Sequence, residues 1–199
     1  NAAGIAAAKA RRLLDSGEDL SRLGVEEWGR LMEWNNAARV AAARERALSF
    51  DGERELARVE AMGARVLAGD ELPGLLRSII DPPAALYVLG ELEERHAVAI
   101  VGSRGPTPYG QRMARRLAGD VAGAGLVVVS GLARGIDALA HQAALDAVGT
   151  TWAVMGSGLA RVYPAEHADL ARRLVAAGGA LLSELPLDIG FCRADDHIG

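Results

Sequence analysis

The sequence predicts an α/β protein: a Rossmann-like parallel sheet with helices on both faces, preceded by a small helical domain. From residue 97 onward, short apolar runs alternate with stretches of helical periodicity, which is the pattern of βαβ units around a buried parallel sheet. Before residue 70 the chain is rich in Ala, Arg and Glu, with apolar residues at helical spacing. We therefore expect a helical domain over residues 1–70, an extended lead-in over 71–96 and the Rossmann-like domain over 97–199.

Four strands and three helices are predicted in the second half of the chain. The strands are the apolar runs, namely 97–101, 126–129, 152–155 and 180–183. The helices lie between them, over 109–122, 136–147 and 168–176. Helical spacing puts Met113, Leu117 and Val121 on one face of the first of these helices. It also predicts a buried stripe on the second helix, formed by Ile136, Leu139, Ala140, Ala143 and Ala147.

The N-terminal part carries weaker signals. Gly4 to Lys9, followed by Leu13-Leu14, is compatible with a SAM-like or helix-hairpin-helix-like module, although a small helical packing domain is the favoured interpretation. Asp81-Pro82-Pro83 predicts an extended junction, because a proline disfavours helix at the residue before it.

Composition limits the classes of function. The chain has 199 residues, a net charge of -4 and a single cysteine, Cys192. The charge argues against adhesion to nucleic acid over the whole surface but allows a local basic patch. One cysteine excludes an intrachain disulfide and fits a reducing compartment. We find no secretion signal and no apolar run near the ~20 residues of a membrane span, so we expect a cytoplasmic protein without membrane contact. The missing initiator Met suggests a fragment.

Three loops that follow predicted strands have similar composition. Each combines glycine, a hydroxyl residue and one arginine: Gly102-Ser103-Arg104-Gly105-Pro106, Ser130-Gly131-Leu132-Ala133-Arg134-Gly135 and Gly156-Ser157-Gly158-Leu159-Ala160-Arg161. In a parallel sheet these loops meet at the carboxyl ends of the strands, where ligands bind. Glycine permits close approach of a ligand, helix starts favour anions, and arginine matches phosphate oxygens. The loops therefore predict a phosphate-binding edge.

Other ligands and chemistries fit the loops less well. The glycine spacing does not match a dinucleotide fingerprint, no Gly-Lys-Ser/Thr loop is present, and cysteine and histidine do not cluster, so we expect neither cofactor nor metal. Ser130, Asp137 and His141 could be arranged as a hydrolase triad. The favoured interpretation is structural: Asp137 lies in the first turn of its helix, and His141 is its orienting partner at i+4.

The loops and their surroundings closely resemble the DNA-processing protein A (DprA/Smf) family. The matching blocks are Ala99-Ile100-Val101-Gly102-Ser103-Arg104 with Tyr109-Gly110, the second loop with Ile136-Asp137, His141 with Ala144-Leu145, Gly156-Ser157-Gly158-Leu159 with Tyr163-Pro164, and Leu182-Ser183-Glu184 with Pro186. Upstream, Asp70-Glu71-Leu72-Pro73, Asp81-Pro82-Pro83 and Leu86-Tyr87 resemble the family's lead-in, with Leu72 where Tyr is usual. The resemblance implies a non-enzymatic protein of natural transformation that binds single-stranded DNA and helps load the recombinase RecA, usually as a homodimer.

On this basis we assign expected roles to individual residues. The residues expected to contact DNA phosphates are Gly102, Ser103, Arg104, Tyr109, Gly110, Ser130, Gly131, Ala133, Arg134, Gly135, Gly156, Ser157, Gly158 and Arg161. Tyr109 either stacks on a base or closes the first helix against the sheet. The residues expected to orient the site are Asp137, His141, Tyr163 and Glu184.

The chain departs from the family pattern after residue 186. The family continues into a Phe-Pro-x-Arg-Asn-Arg stretch, whereas here the residues are Phe191-Cys192-Arg193-Ala194-Asp195-Asp196-His197. Two alternatives therefore stay open at this point. One is a nucleotide-binding enzyme resembling the phosphoribohydrolases, although their Pro-Gly-Gly-x-Gly-Thr signature is missing. The other is a truncated relative that folds but binds poorly.

Overall fold

A computed structural model describes residues 12, 13 and 16–191 of the chain, and these contain one mixed β-sheet. Its strands are β1 (Ala64–Ala68), β2 (Ala85–Gly90), β3 (Ala97–Ala99), β4 (Val127–Ser130), β5 (Thr151–Val154) and β6 (Ala180–Ser183). They are arranged in the order β1-β2-β6-β5-β4-β3. Strands β3 to β6 run parallel to their neighbours, whereas β2 is antiparallel to both β1 and β6. The carboxyl ends of the four parallel strands therefore lie at one edge.

Seven α-helices are described with their bounds. They are α1 (Val25–Met32), α2 (Ala37–Ser49), α3 (Gly52–Ala61), α4 (Gly74–Arg77), α5 (Pro108–Gly123), α6 (Ile136–Asp146) and α7 (Ala168–Ala176). Three of them begin at a residue whose side-chain oxygen accepts a backbone N–H of the first turn: Asn36, Asp51 and Thr107. Such a cap satisfies a donor that has no partner inside the helix, which explains these start points. No described helix has the length and apolar character needed to cross a lipid bilayer.

The two faces of the sheet are covered unequally. Because the parallel strands follow one another across the sheet, right-handed crossovers place α5, α6 and α7 on the same face. Buried alanines make this layer tight, and Ala118 and Ala140 pack with Val128 of β4. On the opposite face, Leu72 and Leu76 pack on Val88, Trp152 and Leu182, so the segment that contains the short helix α4 supplies the cover there.

The fold class predicted from the sequence is confirmed, with parallel strands and helices close to their expected positions. Strand β6 and helix α7 have the predicted bounds. Strands β1 and β2 were not predicted, and they lie in residues expected to be helical or extended. The domain boundaries stay a prediction. The proposed N-terminal module at Gly4 to Lys9 lies outside the described residues.

Two predicted helix faces need correction. On α5 the buried residues are Ala114, Ala118 and Ala122, one position along from the predicted apolar face, and Leu117 is exposed. On α6, Ala140 and Ala143 are buried as expected, but Ile136 and Leu139 are half-buried and Ala147 is exposed. Asp137, His141 and Ala144 are buried instead. The reason is that tight packing between α5 and α6 selects alanine over larger side chains, and hydrogen bonds make burial of two polar groups possible.

The N-terminal helices are joined to the sheet domain through a buried carboxylate. Glu55 of α3 accepts a 2.7 Å hydrogen bond from the backbone N–H of Leu187, which follows β6. Burial, and secondarily the negative charge of Glu55, raise the pKa of Tyr87 to about 12. Val59, one turn after Glu55, packs in the same core as Tyr87 and Leu187. Helix α3 thus holds the segment after β6 in place.

We expect Glu55→Ala to lower the free energy of unfolding by about 1–3 kcal/mol, because it leaves the buried N–H of Leu187 without an acceptor. Chemical denaturation monitored by circular dichroism measures this change. Glu60→Ala, at an exposed position of the same helix, is the matched control and should change stability by less than about 0.5 kcal/mol. Equal effects of the two substitutions would contradict the role assigned to Glu55.

Candidate functional site

The three glycine-containing loops lie together at the carboxyl edge of the parallel strands, and we call residues 102–106, 130–135 and 156–161 the rim. The first two loops are joined through backbone. The N–H of Ile136 donates to the carbonyl of Ser103 at 3.1 Å. Gly135 has φ +80°, and a Cβ there would clash with the backbone of Ser103 and Arg104. Glycine at this position therefore lets the two loops touch.

The third loop is fixed by the segment that follows β6. The N–H groups of Gly158 and Ala160 donate to the carbonyls of Ile189 and Leu187, at 2.8 and 3.1 Å. A Cβ on Gly158 would clash with the carbonyl oxygens of residues 186 and 187. These backbone donors are thus already occupied. Gly158 was expected to contact a DNA phosphate, but its N–H is already bonded to Ile189, because the glycine allows close packing of chain against chain.

Two of the predicted hydroxyl contacts are also occupied. The hydroxyl of Ser130 donates to the carbonyl of Ile100 at 2.7 Å, and that of Ser157 donates to the carbonyl of Arg161 at 2.6 Å. Both serines are buried, so they hold the loops in shape and do not face a ligand. Ser103 is exposed, and its oxygen accepts the N–H of Gly105 at 3.2 Å, within the first loop.

A small cleft of about 30 Å³ joins the three loops. The cleft is lined by predicted residues from every loop and by an aromatic pair. The lining residues are Arg104, Gly131, Ala133, Arg134, Gly156, Tyr163, Pro164 and Phe191. The rings of Tyr163 and Phe191 are stacked, with their centroids 4.4 Å apart. The guanidinium of Arg104 lies 5.7 Å from the centroid of Phe191, within the range of a cation–π interaction. The fold thus brings two arginines, from the first and second loops, to one cleft.

Arg134 is held by Glu166, a residue that was not predicted to belong to the site. Its Nε and Nη2 donate to the two carboxylate oxygens of Glu166 at 2.6 and 2.8 Å. These hydrogen bonds raise the pKa of Arg134 and lower the pKa of Glu166. The next residue, His167, donates from Nδ1 to the carbonyl of Leu132 at 2.7 Å, because a carbonyl oxygen can only accept. Residues 166 and 167 therefore stabilise the second loop through contacts with Arg134 and Leu132.

The remaining predicted contacts differ in their accessibility. Tyr109, at the start of α5, is 66% exposed, so its ring is open to a base and does not close the helix against the sheet. The N–H of Gly110 donates to the capping hydroxyl of Thr107 at 3.2 Å. Gly102 packs on Ile136, whose Cγ1 would lie 2.9 Å from an added Cβ. Arg161 is exposed. The pKa of Asp188 is lowered mainly by its hydrogen bond to Arg58, with a smaller effect of the Arg161 charge.

Asp137 and His141 form hydrogen bonds with different partners. The carboxylate of Asp137 accepts the N–H of Gly131 at 3.0 Å, which fixes the second loop. His141 is fully buried, and its Nδ1 lies 2.7 Å from the hydroxyl of Thr151. That hydroxyl donates its proton to the carbonyl of Val128, so Nδ1 of His141 must be the donor to Thr151. The expected pairing of His141 with Asp137 is therefore wrong, because the ring points to Thr151.

The same contacts leave no hydrolytic triad at these positions. The proton of the Ser130 hydroxyl is directed to Ile100, and His141 Nε2 is buried without a hydrogen-bond partner among the described residues. Burial, with a smaller effect of the His167 charge, lowers the pKa of His141 to about 4. Within the residues that the structure describes, no three His, Cys, Asp or Glu side chains could hold a metal ion together.

Several site residues were missed or misjudged in the sequence. Glu166, Pro164 and His167 follow the third loop, and their role depends on the chain turning back toward Arg134. Tyr163, expected to orient the site, lines the cleft together with Pro164, which was noted only in a matching motif, and the peptide bond between them is cis. Phe191 belongs to the stretch that departs from the expected pattern, yet its ring lies in the site. Glu184 is exposed directly after β6.

Comparison with known proteins shows the relatives of this chain. Residues 65–194 match the model of the family described as DNA recombination-mediator protein A. Protein Smf of Escherichia coli is 47% identical over 119 residues, which cover 59% of this chain and 32% of that protein. The DNA processing protein DprA of Bacillus subtilis is 39% identical over 123 residues, covering 60% of this chain and 41% of that protein. The chain thus spans about a third of the length of the first of these relatives and two fifths of the second.

Solved structures show the same fold. The structure of DNA processing protein A from Streptococcus pneumoniae aligns with 96% of this chain and 67% of that chain, with a TM-score of 0.70 and 28% identity. A structure of the Helicobacter pylori protein aligns with 63% of this chain and 57% of that chain, with a TM-score of 0.55 and 32% identity. The Helicobacter pylori protein is described as having a unique mode of binding single-stranded DNA.

We expect stability to fall in mild acid because of His141. Its pKa is about 4 in the folded chain and near 6.5 when exposed, so the unfolded state binds a proton first as the pH drops. Between pH 7.5 and 5.0 this should cost about 2 kcal/mol of the free energy of unfolding. Urea denaturation at both pH values measures the loss. His141→Asn, which keeps a donor near Thr151 but cannot titrate, should lose less stability over this range; an unchanged loss would contradict the assignment.

Proposed function

We propose that this chain, which belongs to the DNA recombination-mediator protein A family, binds single-stranded DNA through the backbone phosphates at its rim. The observation that carries the proposal is the position of Arg104 and Arg134, which follow different strands but line one cleft. A guanidinium presents several N–H groups in a planar fork that matches phosphate oxygens. Two such groups at one edge of a sheet can contact successive phosphates of one strand.

The size of the cleft supports a surface-bound strand over an enclosed nucleotide. At about 30 Å³ it has room for one or two water molecules, whereas pockets that enclose small ligands are roughly 300–1,000 Å³. A phosphate oxygen can reach the arginines from outside, but a nucleoside cannot be buried between them. The alternative of an enzyme acting on nucleoside phosphates receives no support from this shape, and the proposal is a binding protein without catalytic activity.

The surroundings of the cleft add features that suit a single strand. Tyr109 is largely exposed beside the first loop, where an unstacked base could lie on its ring. Arg104 projects over the ring of Phe191, which orders a long side chain near the proposed phosphate path. Because the chain as a whole carries a net charge of -4, attraction of DNA depends on these few local groups.

The wider part of the proposal rests on family membership. We propose a cytoplasmic role in natural transformation, in which the protein passes single-stranded DNA to the recombinase RecA and acts as a homodimer. The chain spans 32% of its Escherichia coli relative, so these partners concern a protein longer than the shared region. The Helicobacter pylori protein, which is described by its binding of single-stranded DNA, supports the choice of nucleic acid.

We expect Arg104→Ala and Arg134→Ala each to weaken binding of oligothymidylate roughly fivefold to tenfold, because each removes a charged hydrogen-bond donor to phosphate. Each should also reduce the slope of log K against log salt by about 0.7, the value for one phosphate contact on a single strand. Fluorescence anisotropy titrations at several salt concentrations give both quantities.

Arg46→Ala is the matched control, since Arg46 is exposed on α2, whose buried side chains belong to a different core cluster. It removes the same charge and should leave the salt slope unchanged. If both rim variants are folded and retain wild-type affinity and slope, the proposal is wrong. Equal weakening of duplex and single-stranded DNA would instead assign the rim to nucleic acid in general.

A further inference from the structure

We propose that Glu166 is a positioning residue that presents Arg134 to the phosphate of bound DNA. This inference rests on the proposed function and concerns a residue that contacts the arginine and not the nucleic acid. A carboxylate beside a phosphate-binding arginine could instead compete with the ligand for it. The geometry distinguishes between these two roles.

Glu166 contacts only part of the Arg134 guanidinium. It accepts hydrogen bonds from Nε and Nη2, at 2.6 and 2.8 Å, so it occupies one edge of the planar group. A guanidinium carries five N–H bonds. Both N–H bonds of Nη1 and one of Nη2 lie outside the contact with Glu166. The hydroxyl of Tyr163 interacts more weakly with the same guanidinium, which still leaves N–H bonds for a second acceptor. Arg134 can hold Glu166 and a phosphate oxygen at the same time.

Arg134 and Glu166 differ in their location relative to the cleft. Arg134 is among the residues that line it, whereas Glu166 is not. Glu166 thus forms no part of the cleft wall, and it does not occupy the space of a ligand there. A competitor would have to lie between the arginine and the incoming phosphate.

Glu166 lies in a segment that is itself fixed to the second loop. The neighbouring His167 donates to the carbonyl of Leu132 at 2.7 Å, in the same loop as Arg134. Residues 165–167 form a single turn of 3₁₀-helix that leads directly into α7. The carboxylate is consequently held from a regular element, and it can order a side chain that is itself 53% exposed. An arginine that is ordered before binding loses less conformational freedom when the phosphate arrives.

The test uses the charge of Glu166 to separate orientation from electrostatics. Glu166→Gln removes a negative charge near the DNA, so electrostatics alone would strengthen binding. If Glu166 positions Arg134, binding of oligothymidylate should weaken roughly threefold to tenfold in spite of the lost negative charge, because the ordered fork is lost. The salt slope should stay close to that of the wild type, since the arginine charge is still present.

Asp169→Asn is the matched control. Asp169 lies three residues further on, is 70% exposed and pairs with Arg172 at 3.1 Å, so this substitution also removes one charge and one surface ion pair. It should not weaken binding. In the background of Arg134→Ala, Glu166→Gln should cause no further loss, because its effect passes through Arg134. Thermal unfolding checks that all variants are folded.

The outcomes separate this inference from the function on which it rests. If Glu166→Gln binds as tightly as the wild type or more tightly, while Arg104→Ala binds weakly, the rim binds DNA but Glu166 does not position Arg134. Additive losses in the double variant would likewise overturn the inference. If Arg104→Ala and Arg134→Ala also have no effect, the proposed function itself fails.

Discussion

The contact of backbone against backbone between the strand-end loops is the constraint on which the rest of the site depends. Ser103 accepts the N–H of Ile136, and this is possible only because Gly135 has no Cβ to separate the loops. Gly158 has the same role against residues 186–187. Once the loops touch, little room is left between them, and the long side chains that line the cleft are those of two arginines and two aromatic residues. In the proposed mode of binding, polar recognition in this cleft therefore depends on side chains more than on loop backbone.

The same contacts explain which parts of the molecule could be predicted from the sequence. Alternation of apolar strands with helices follows from local periodicity, and α7 and β6 were predicted with the observed bounds. The two antiparallel strands were not, because β1 follows helix α3 directly after Gly63, at φ +74°, without a hairpin signal. The arginines of the rim could be identified because strand ends of a parallel sheet share one edge. Glu166 could not, since its partner is 32 residues away in the sequence.

Glycine and serine were the least informative residues of the motif. Both types are common in phosphate-binding loops, and both are equally suited to packing loops together. The hydroxyls of Ser130 and Ser157 donate to backbone carbonyls and are buried, so their presence reports on the shape of the loops. Composition cannot distinguish a hydroxyl that faces a ligand from one that satisfies a carbonyl. Only the position of each side chain relative to the sheet decides between them.

The acidic net charge and the basic rim are compatible because charge acts locally. The potential of an exposed group is screened within about 10 Å at moderate salt, so in the proposed complex a strand at the rim responds to Arg104 and Arg134 more than to the distant carboxylates. Glu166 lies within that distance, but it bonds to one edge of Arg134 and is not part of the cleft wall. The cost in electrostatic attraction is offset by an arginine that is already ordered. A weakly charged protein can in this way bind a highly charged ligand with a few well-placed groups.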